Sequence, residues 1–289
     1  DNKIYFTVDQ GNIAICDYDF QVSKVFDHNL THSIKCLFKA NEDSLFAATD
    51  KGILLFTKGK FETIKVNSLL KALHFKYIDQ LPDGRFLASS EAGLFISTRQ
   101  NGKIIFKETT VKPISANHNY DKFVAIDDSH LLLQFDNSAL LYCKKSQNSF
   151  SVISKYPING VQINSFTTLN KNQVIMATSA GIMIFDAKTQ QLSLEKILKG
   201  QNVLSLIFNS DTISALTNRS ITKIIHQNAN LVVSNETTTR FVRNISSSYI
   251  YRNGQYILGT YNGFIKYDPK IDNKAEIKYF FNDLDLKLS

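Results

Sequence analysis

The chain has 289 residues, 43% of them hydrophobic and 20% charged, which excludes a disordered polypeptide and allows a core that needs no covalent staple. Twelve Gly and four Pro exclude collagen-like and Pro-rich classes, and three Cys exclude a disulfide-dense scaffold. Lys and Arg number 33 against 26 Asp and Glu, a formal charge of +7, yet the basic residues do not cluster. The densest groups are Lys58/Lys60/Lys65 and Lys144/Lys145, with acidic residues between such groups, so the charge reads as a solvated surface and no nucleic acid is expected as a partner.

No apolar run approaches the roughly 18 residues of a membrane-spanning helix. The chain starts at Asp1 without Met or an apolar leader, and we expect it to be processed or excised from something longer.

A recurring segment runs through the chain: a β-rich run, a short polar step, a Gly or Ser, then a second β-rich run. In order the copies are IYFTVDQGNIAI, LFAATDKGILLF, FLASSEAGLFIS, LLQFDNSALLY, IMATSAGIMIF, SALTNRSITKI and ILGTYNGFIKY. Aligned on the small turn residue they centre on Gly11, Gly52, Gly93, Ser138, Gly181, Ser220 and Gly263, at gaps of 41, 41, 45, 43, 39 and 43 residues. Each reads as a tight hairpin, because Asp, Asn, Ser or Lys before a Gly supplies the residues a sharp turn requires. The flanking runs are apolar at nearly every position, as in strands covered on both faces.

Upstream of several hairpins lies a second turn (Asp83-Gly84, Asn253-Gly254, Asn41 to Ser44, Asp127 to Ser129), preceded by a shorter apolar strand. These first strands are predicted at Ile34 to Phe38, His74 to Ile78, Phe123 to Ile126, Ile163 to Thr167, Val203 to Phe208 and Ile245 to Tyr251. Fourth strands are predicted at Lys60 to Lys65, Lys103 to Lys107, Ser149 to Ser154 and Gln191 to Ile197, and Asn67 to Lys76 could hold a helical turn. Four antiparallel strands in about 42 residues is the size of a propeller blade. The expected fold is all-β: a single seven-bladed β-propeller over residues 1–289, four antiparallel strands per blade. The first blade has no obvious first strand, and Asp283 to Leu288 would supply it and close the ring; the rival reading is that this tail begins a further domain.

The unit resembles the two-component regulator propeller repeat. Tyr256 to Pro269 (YILGTYNGFIKYDP) matches that pattern best, and Leu45 to Gly52 and Ile175 to Asp186 match well. Copies four and six lack the Gly, and no copy has the pattern's Trp; Tyr5 and Phe46 stand there in two copies. Gly263 to Ser289, with Asp268-Pro269 and the Leu284-Asp285-Leu286 alternation, looks like the family's junction between a last propeller and an immunoglobulin-like sandwich. The resemblance implies the periplasmic, extracytoplasmic sensor part of a bacterial sensor histidine kinase, an inner-membrane protein. It also implies a small-molecule or oligosaccharide ligand, other propeller or immunoglobulin-like domains in the same receptor, and a homodimer whose geometry carries the signal.

The chemical motifs are sparse. His28 and His32 lie four apart in a predicted loop with no third ligand at a metal spacing, so no metal and no cofactor is expected. Cys16, Cys36 and Cys143 fall on predicted strands, and an oxidising compartment would leave a Cys16–Cys36 disulfide open. Asp127/Asp128 and Glu42/Asp43 sit at turns, where carboxylates accept local backbone N–H groups. No G-x-S-x-G, phosphate loop or G-x-G-x-x-G occurs, and no enzyme is expected in this domain. A propeller-fold lyase or hydrolase is the lesser alternative and would need converging His and acidic groups. A WD-repeat interaction propeller is the other, and its Gly-His and Trp-Asp signatures are missing.

Ligand-binding candidates fall on the longest connections, Lys65 to His74, Thr110 to Lys122 and Ser234 to Ile245. They carry His74, His118, Asn119, Tyr120, Arg240 and Arg243, and Tyr156 and Tyr261 are expected on the same face.

Overall fold

A computed structural model describes residues 3–8, 12–16, 22–26, 33–41, 43–68, 73–114, 118–209, 212–218, 220–227, 230–238, 245–250, 256–260 and 263–267. The chain divides into two compact units, Asp1–Gly160 and Val161–Ser289.

The first unit opens with β1 (Ile4–Val8), β2 (Asn12–Cys16) and β3 (Val22–Phe26), an antiparallel three-stranded sheet. Next come β4 (Ile34–Asn41), β5 (Ser44–Thr49), β6 (Gly52–Thr57) and β7 (Lys60–Thr63), a four-stranded meander. The rest of the unit is β8 (Val66–Asn67), β9 (Phe75–Gln80), β10 (Phe86–Ser90), β11 (Leu94–Gln100), β12 (Lys103–Lys112), β13 (Tyr120–Ala125), β14 (His130–Phe135), β15 (Ala139–Lys145) and β16 (Ser149–Pro157). These nine form one sheet.

The second unit has two four-stranded meanders. One is β17 (Ile163–Asn170), β18 (Gln173–Thr178), β19 (Gly181–Asp186) and β20 (Gln191–Leu194). The other is β21 (Val203–Asn209), β22 (Thr212–Thr217), β23 (Ser220–Gln227) and β24 (Asn230–Thr238). A three-stranded sheet of β25 (Ile245–Ile250), β26 (Tyr256–Thr260) and β27 (Gly263–Tyr267) follows.

The fold is all-β and propeller-like, but the expected seven blades of four strands each do not form. The cause is β12. Its first seven residues pair with β11 through Leu94↔Thr109, and its last three run parallel to Ser149, Phe150 and Ser151 of β16. On the other side Phe106 and Lys107 pair parallel with Val66 and Asn67 of β8. A strand that outruns its antiparallel partner leaves backbone groups unpaired, and the neighbouring fourth strand satisfies them. Copies three and four therefore share one sheet. Val111 and Phe150 are buried at 3% and 1% exposure where they meet. The longest repeat gap, 45 residues, lies between these two copies.

The same pairing corrects two predicted connections. Val66–Asn67 and Thr110–Lys112 are strand, not loop. Residues 69–72, within the expected helical turn, lie outside the described residues, as does the proposed closing strand, Asp283 to Leu288.

The apolar runs form the cores as expected. All six side chains of β5 and all five of β10 are buried, and so are five of six in β14, β18 and β22. Phe46, Phe75, Phe95 and Phe106 fill one cluster; Leu87, Leu94, Phe123, Leu133, Leu141 and Phe150 fill the next. Ile175, Ile182, Val203, Ile213 and Ile224 form a core cluster in the second unit. All three Cys are free thiols, so the Cys16–Cys36 pairing left open above does not form. Burial pushes the Cys143 thiol up to about 12.

The hairpin turns show why Gly recurs and where it does not. Gly52 and Gly181 adopt φ of 146° and 126°. The Thr before each turn donates its hydroxyl to the Gly carbonyl, Thr49 at 2.9 Å and Thr178 at 2.8 Å, and accepts an N–H from Lys51 or Ala180. Ser90 plays the same part toward Gly93. Copy four has Phe135 at this position and no hydroxyl to use. There the left-handed residues are Asp136 and Asn137, φ 46° and 50°, a mirror-image turn in which Ser138 need not be Gly.

Candidate functional site

Among the described residues two rows recur at the start of first strands, a clasp before four of them and a bulge in six. The first row is a clasp. The residue leading the first strand and the leading residue of the central turn lie 17 positions apart and bond to each other. Asp50 N–H donates to the Ser33 carbonyl at 3.2 Å, and Ser33 N–H returns a bond to the Asp50 carboxylate at 2.8 Å. Asp136 N–H to the Asn119 carbonyl (2.9 Å) and Asn119 N–H to the Asp136 carboxylate (3.0 Å) repeat it. Ser179 and Gln162 repeat it again, at 2.9 and 3.0 Å. In the remaining case Glu91 N–H donates to the His74 carbonyl at 3.3 Å, while the Glu91 carboxylate meets His74 Nδ1 at 3.2 Å. The Asp50 and Asp136 carboxylates thus satisfy backbone donors.

The sequence-predicted residues fall on or beside this row. His74 is exposed at 53% and lies against Glu91. His118 Nδ1 is 3.1 Å from the second Asp136 oxygen, and its ring packs on Phe135 with centroids 5.1 Å apart. Asn119 accepts a hydrogen bond from Lys76 Nζ at 2.7 Å. Tyr120 is buried at 3% against Phe135, and burial pushes its hydroxyl well above the usual phenol range. Tyr156 stands opposite Leu140 on β16, half-buried. His118, Asn119 and Tyr120 thus gather around Asp136 and Phe135, and Lys76 ties this group to β9, whose leading residue is His74. Arg240, Arg243 and Tyr261 lie outside the described residues, as do His28 and His32.

The second row is a bulge. In β4, Ile34 pairs with Thr49 and Cys36 with Ala48, leaving Lys35 over. In β9 the skipped residue is Lys76, and in β13 Asp121 and Lys122 are skipped. The second unit skips Asn164 in β17, Leu204 in β21 and Ser246 in β25. A bulge re-aims the side chain it carries and bends the strand. Two of these side chains reach the next first strand: Lys76 to Asn119, and Asn164 Nδ2 to the Val203 carbonyl at 2.6 Å.

Beside the bulges of the first unit lies a titratable group on β4, β9 and β13: Cys36, Tyr77, Asp79 and Lys122, all half-buried. The Tyr77 hydroxyl donates to Asp79 Oδ2 at 3.2 Å, and its ring meets Phe123 edge-on at 5.2 Å. The Ser89 hydroxyl donates to the Asp121 carbonyl and joins β10 to β13. Burial raises the Asp79 carboxyl pKa, outweighing the bonds it accepts from Gln80 N–H and Tyr77. Burial lowers the Lys122 ammonium pKa, opposed by the charges of Asp121 and Cys36. Burial also raises Tyr77 and Cys36. The group sets a thiol, a phenol hydroxyl, a carboxyl and an amine side by side, donors and acceptors that suit the hydroxyls of a ligand. Among the described residues no three His, Cys, Asp or Glu side chains gather as a metal site would need.

Sequence reading missed this group because it looked for site residues on connections. The signal was present: Cys36, Tyr77 and Lys122 are spaced 41 and 45 residues apart, the same gaps that separate the turns.

No family model matches the chain, and no curated protein matches it. Solved structures do resemble it. Dihydro-heme d1 dehydrogenase NirN, in complex with DHE, aligns with a TM-score of 0.66 at 13% identity, covering 92% of this chain and 61% of that one. The extracellular domain of the one component system BT4673 from B. thetaiotaomicron aligns with a TM-score of 0.66 at 12% identity, covering 95% and 42%. The C-terminal WD40 domain of Sif2 aligns with a TM-score of 0.60 at 11% identity, covering 90% of each. The chain spans about three fifths and two fifths of the length of the first two. At such identities the likeness shows the propeller-type fold alone.

Proposed function

We propose that the chain is a ligand-sensing, non-enzymatic propeller from the extracytoplasmic part of a bacterial two-component sensor histidine kinase. The observation that carries the reading is the polar group on the first strands of the first unit. Cys36, Tyr77, Asp79 and Lys122 stand half-buried on three adjacent strands, at bulges that recur throughout the chain. A polyhydroxylated ligand would add bonds to those the group already makes, such as Tyr77 to Asp79, through the further donor and acceptor capacity of these side chains. The repeat's resemblance to sensor propellers, and the shared fold of an extracellular one-component-system domain, support the placement. Binding would favour one arrangement of a homodimer over another, since a ligand shifts a conformational equilibrium only through differential affinity.

The test is a thermal-shift and calorimetry screen of the 289-residue chain against neutral mono- and oligosaccharides, followed by sedimentation with and without the best binder. Lys122→Met and Tyr77→Phe are expected to keep the fold and weaken binding by about tenfold each. A binder indifferent to both variants, or no binder, would remove the carrying observation. Reading the full gene tests the placement: a membrane-spanning helix and a kinase module are expected in the same polypeptide.

A further inference from the structure

A cleft of about 500 Å³ opens in the first unit, away from the strands just described. Its walls come from the β9–β10 turn, the end of β11 and the β15–β16 turn. Its apolar lining includes Phe86 and Ile104, and its polar lining includes Arg85, Thr98, Arg99, Gln147 and Asn148.

The walls are fixed by bonds that do not use the cleft. Arg85 gives Nε and Nη2 to Asp83 Oδ2 at 3.0 and 2.7 Å, and Nη1 to the Gln147 carbonyl at 2.8 Å. Lys145 Nζ holds the same Asp83 oxygen at 2.9 Å. Thr109 Oγ1 donates to the Asn148 carbonyl at 2.8 Å, and Ser97 Oγ accepts from Phe86 N–H at 2.7 Å. Both turns are thereby pinned to each other across the fused sheet. Burial works to raise the Asp83 carboxyl pKa, but the bonds from Arg85 and Lys145 hold it well below the usual carboxylate range.

Charge and chemistry then decide the ligand. Asp83 is the carboxylate of the lining and is already paired with Arg85 and Lys145, while Arg99 lines the same cleft. Arg99 is exposed and forms no ion pair with any described residue. The Gln147 and Asn148 side chains are exposed beside it, and Thr98 is half-buried. A guanidinium suits a carboxylate or phosphate, amides and hydroxyls suit sugar-type hydroxyls, and apolar lining suits a ring face.

We infer that this cleft binds a small polyhydroxylated anion, its carboxylate or phosphate paired with Arg99 and its hydroxyls with Thr98, Gln147 and Asn148. The site goes beyond the polar group on the first strands and does not depend on it.

Calorimetry of the 289-residue chain with glucuronate, glucose 6-phosphate and glucose tests this, since the three share a ring and differ in charge. At least one anion is expected to bind about tenfold or more tighter than glucose, and whichever anion binds tighter distinguishes carboxylate from phosphate. Arg99→Ala should abolish the preference with little change in melting temperature, because the side chain is exposed. Arg99→Lys should restore part of it, keeping the charge and losing the planar fork. Raising salt should weaken the anion and leave glucose unaffected. Equal binding of all three, no anion binding at 20 mM (roughly the weak limit for a fragment-sized ligand), or an anion preference that survives Arg99→Ala would overturn the inference. Lys122→Met should leave this binding intact, which separates it from the site proposed above.

Discussion

The two units follow one plan and use it differently. In the first, β12 outruns β11 and fuses the third and fourth copies into a nine-stranded sheet. In the second, both four-stranded meanders stay separate. At the bulge, the first unit carries Lys35, Lys76 and Asp121-Lys122, while the second carries Asn164, Leu204 and Ser246. The backbone plan repeats because turn spacing and apolar runs dictate it. The chemistry does not repeat, because bulged residues stand outside the ladder register, and Lys35, Lys76, Asp121, Lys122, Asn164 and Leu204 are none of them fully buried.

The largest expected effect probes the fusion. Phe150 is the second residue of its fourth strand and is 1% exposed; Leu192, second in β20, is half-buried. Phe150→Ala should lower stability by about 3–5 kcal/mol, and Leu192→Ala by under about 1.5, measured by chemical denaturation. Equal costs would mean that the parallel pairing adds no burial.

The turns come next. A Cβ at Gly181 would stand 2.8 Å from the Leu198 carbonyl oxygen, whereas one at Gly52 meets nothing within 4 Å. Both need a left-handed backbone. Gly52→Ala should therefore cost about 1 kcal/mol of strain alone, and Gly181→Ala about 2–4 kcal/mol as backbone must move as well. Matching costs in paired melts would show that the crowding is relieved without effort.

Acid titration sharpens the charge contrast. Asp83 has a depressed pKa, so its contribution is complete above the ordinary carboxylate range and is lost as pH falls from that range to the depressed folded value. Asp83→Asn should cost about 1 kcal/mol at neutral pH, screened by solvent, and should flatten the acid limb of the stability curve.

Asp79 runs the other way, and its effect is the smallest. Its folded pKa is raised, so the protonated form is favoured in the fold and stability declines as pH rises from about 4 toward the raised value. Asp79→Asn keeps an acceptor for Tyr77 and should remove that decline, with a gain at neutral pH of under about 1 kcal/mol. A steeper decline in the variant would place the titrating group elsewhere.

Turn residues and apolar runs determined the hairpins at Gly52, Gly93 and Gly181, the buried second and third strands, and the 41- to 45-residue recurrence of copies two to five, because these depend on local backbone preference and on covering both faces of a strand. Strand merger was a tertiary decision. Nothing in KIIFKETTVK says where its last three residues find partners, since that depends on which edge lies within hydrogen-bond reach. The same holds for the chemistry. Lys76, Tyr77, Asp79 and Lys122 read as ordinary polar residues in short strands, and only bulged pairing and the packing of β4, β9 and β13 bring them together. The turn carboxylates kept the role read from the chain: Asp127 accepts the Ser129 and His130 N–H groups, as expected, while the partners of Asp50 and Asp136, 17 residues away, were set by the tertiary structure.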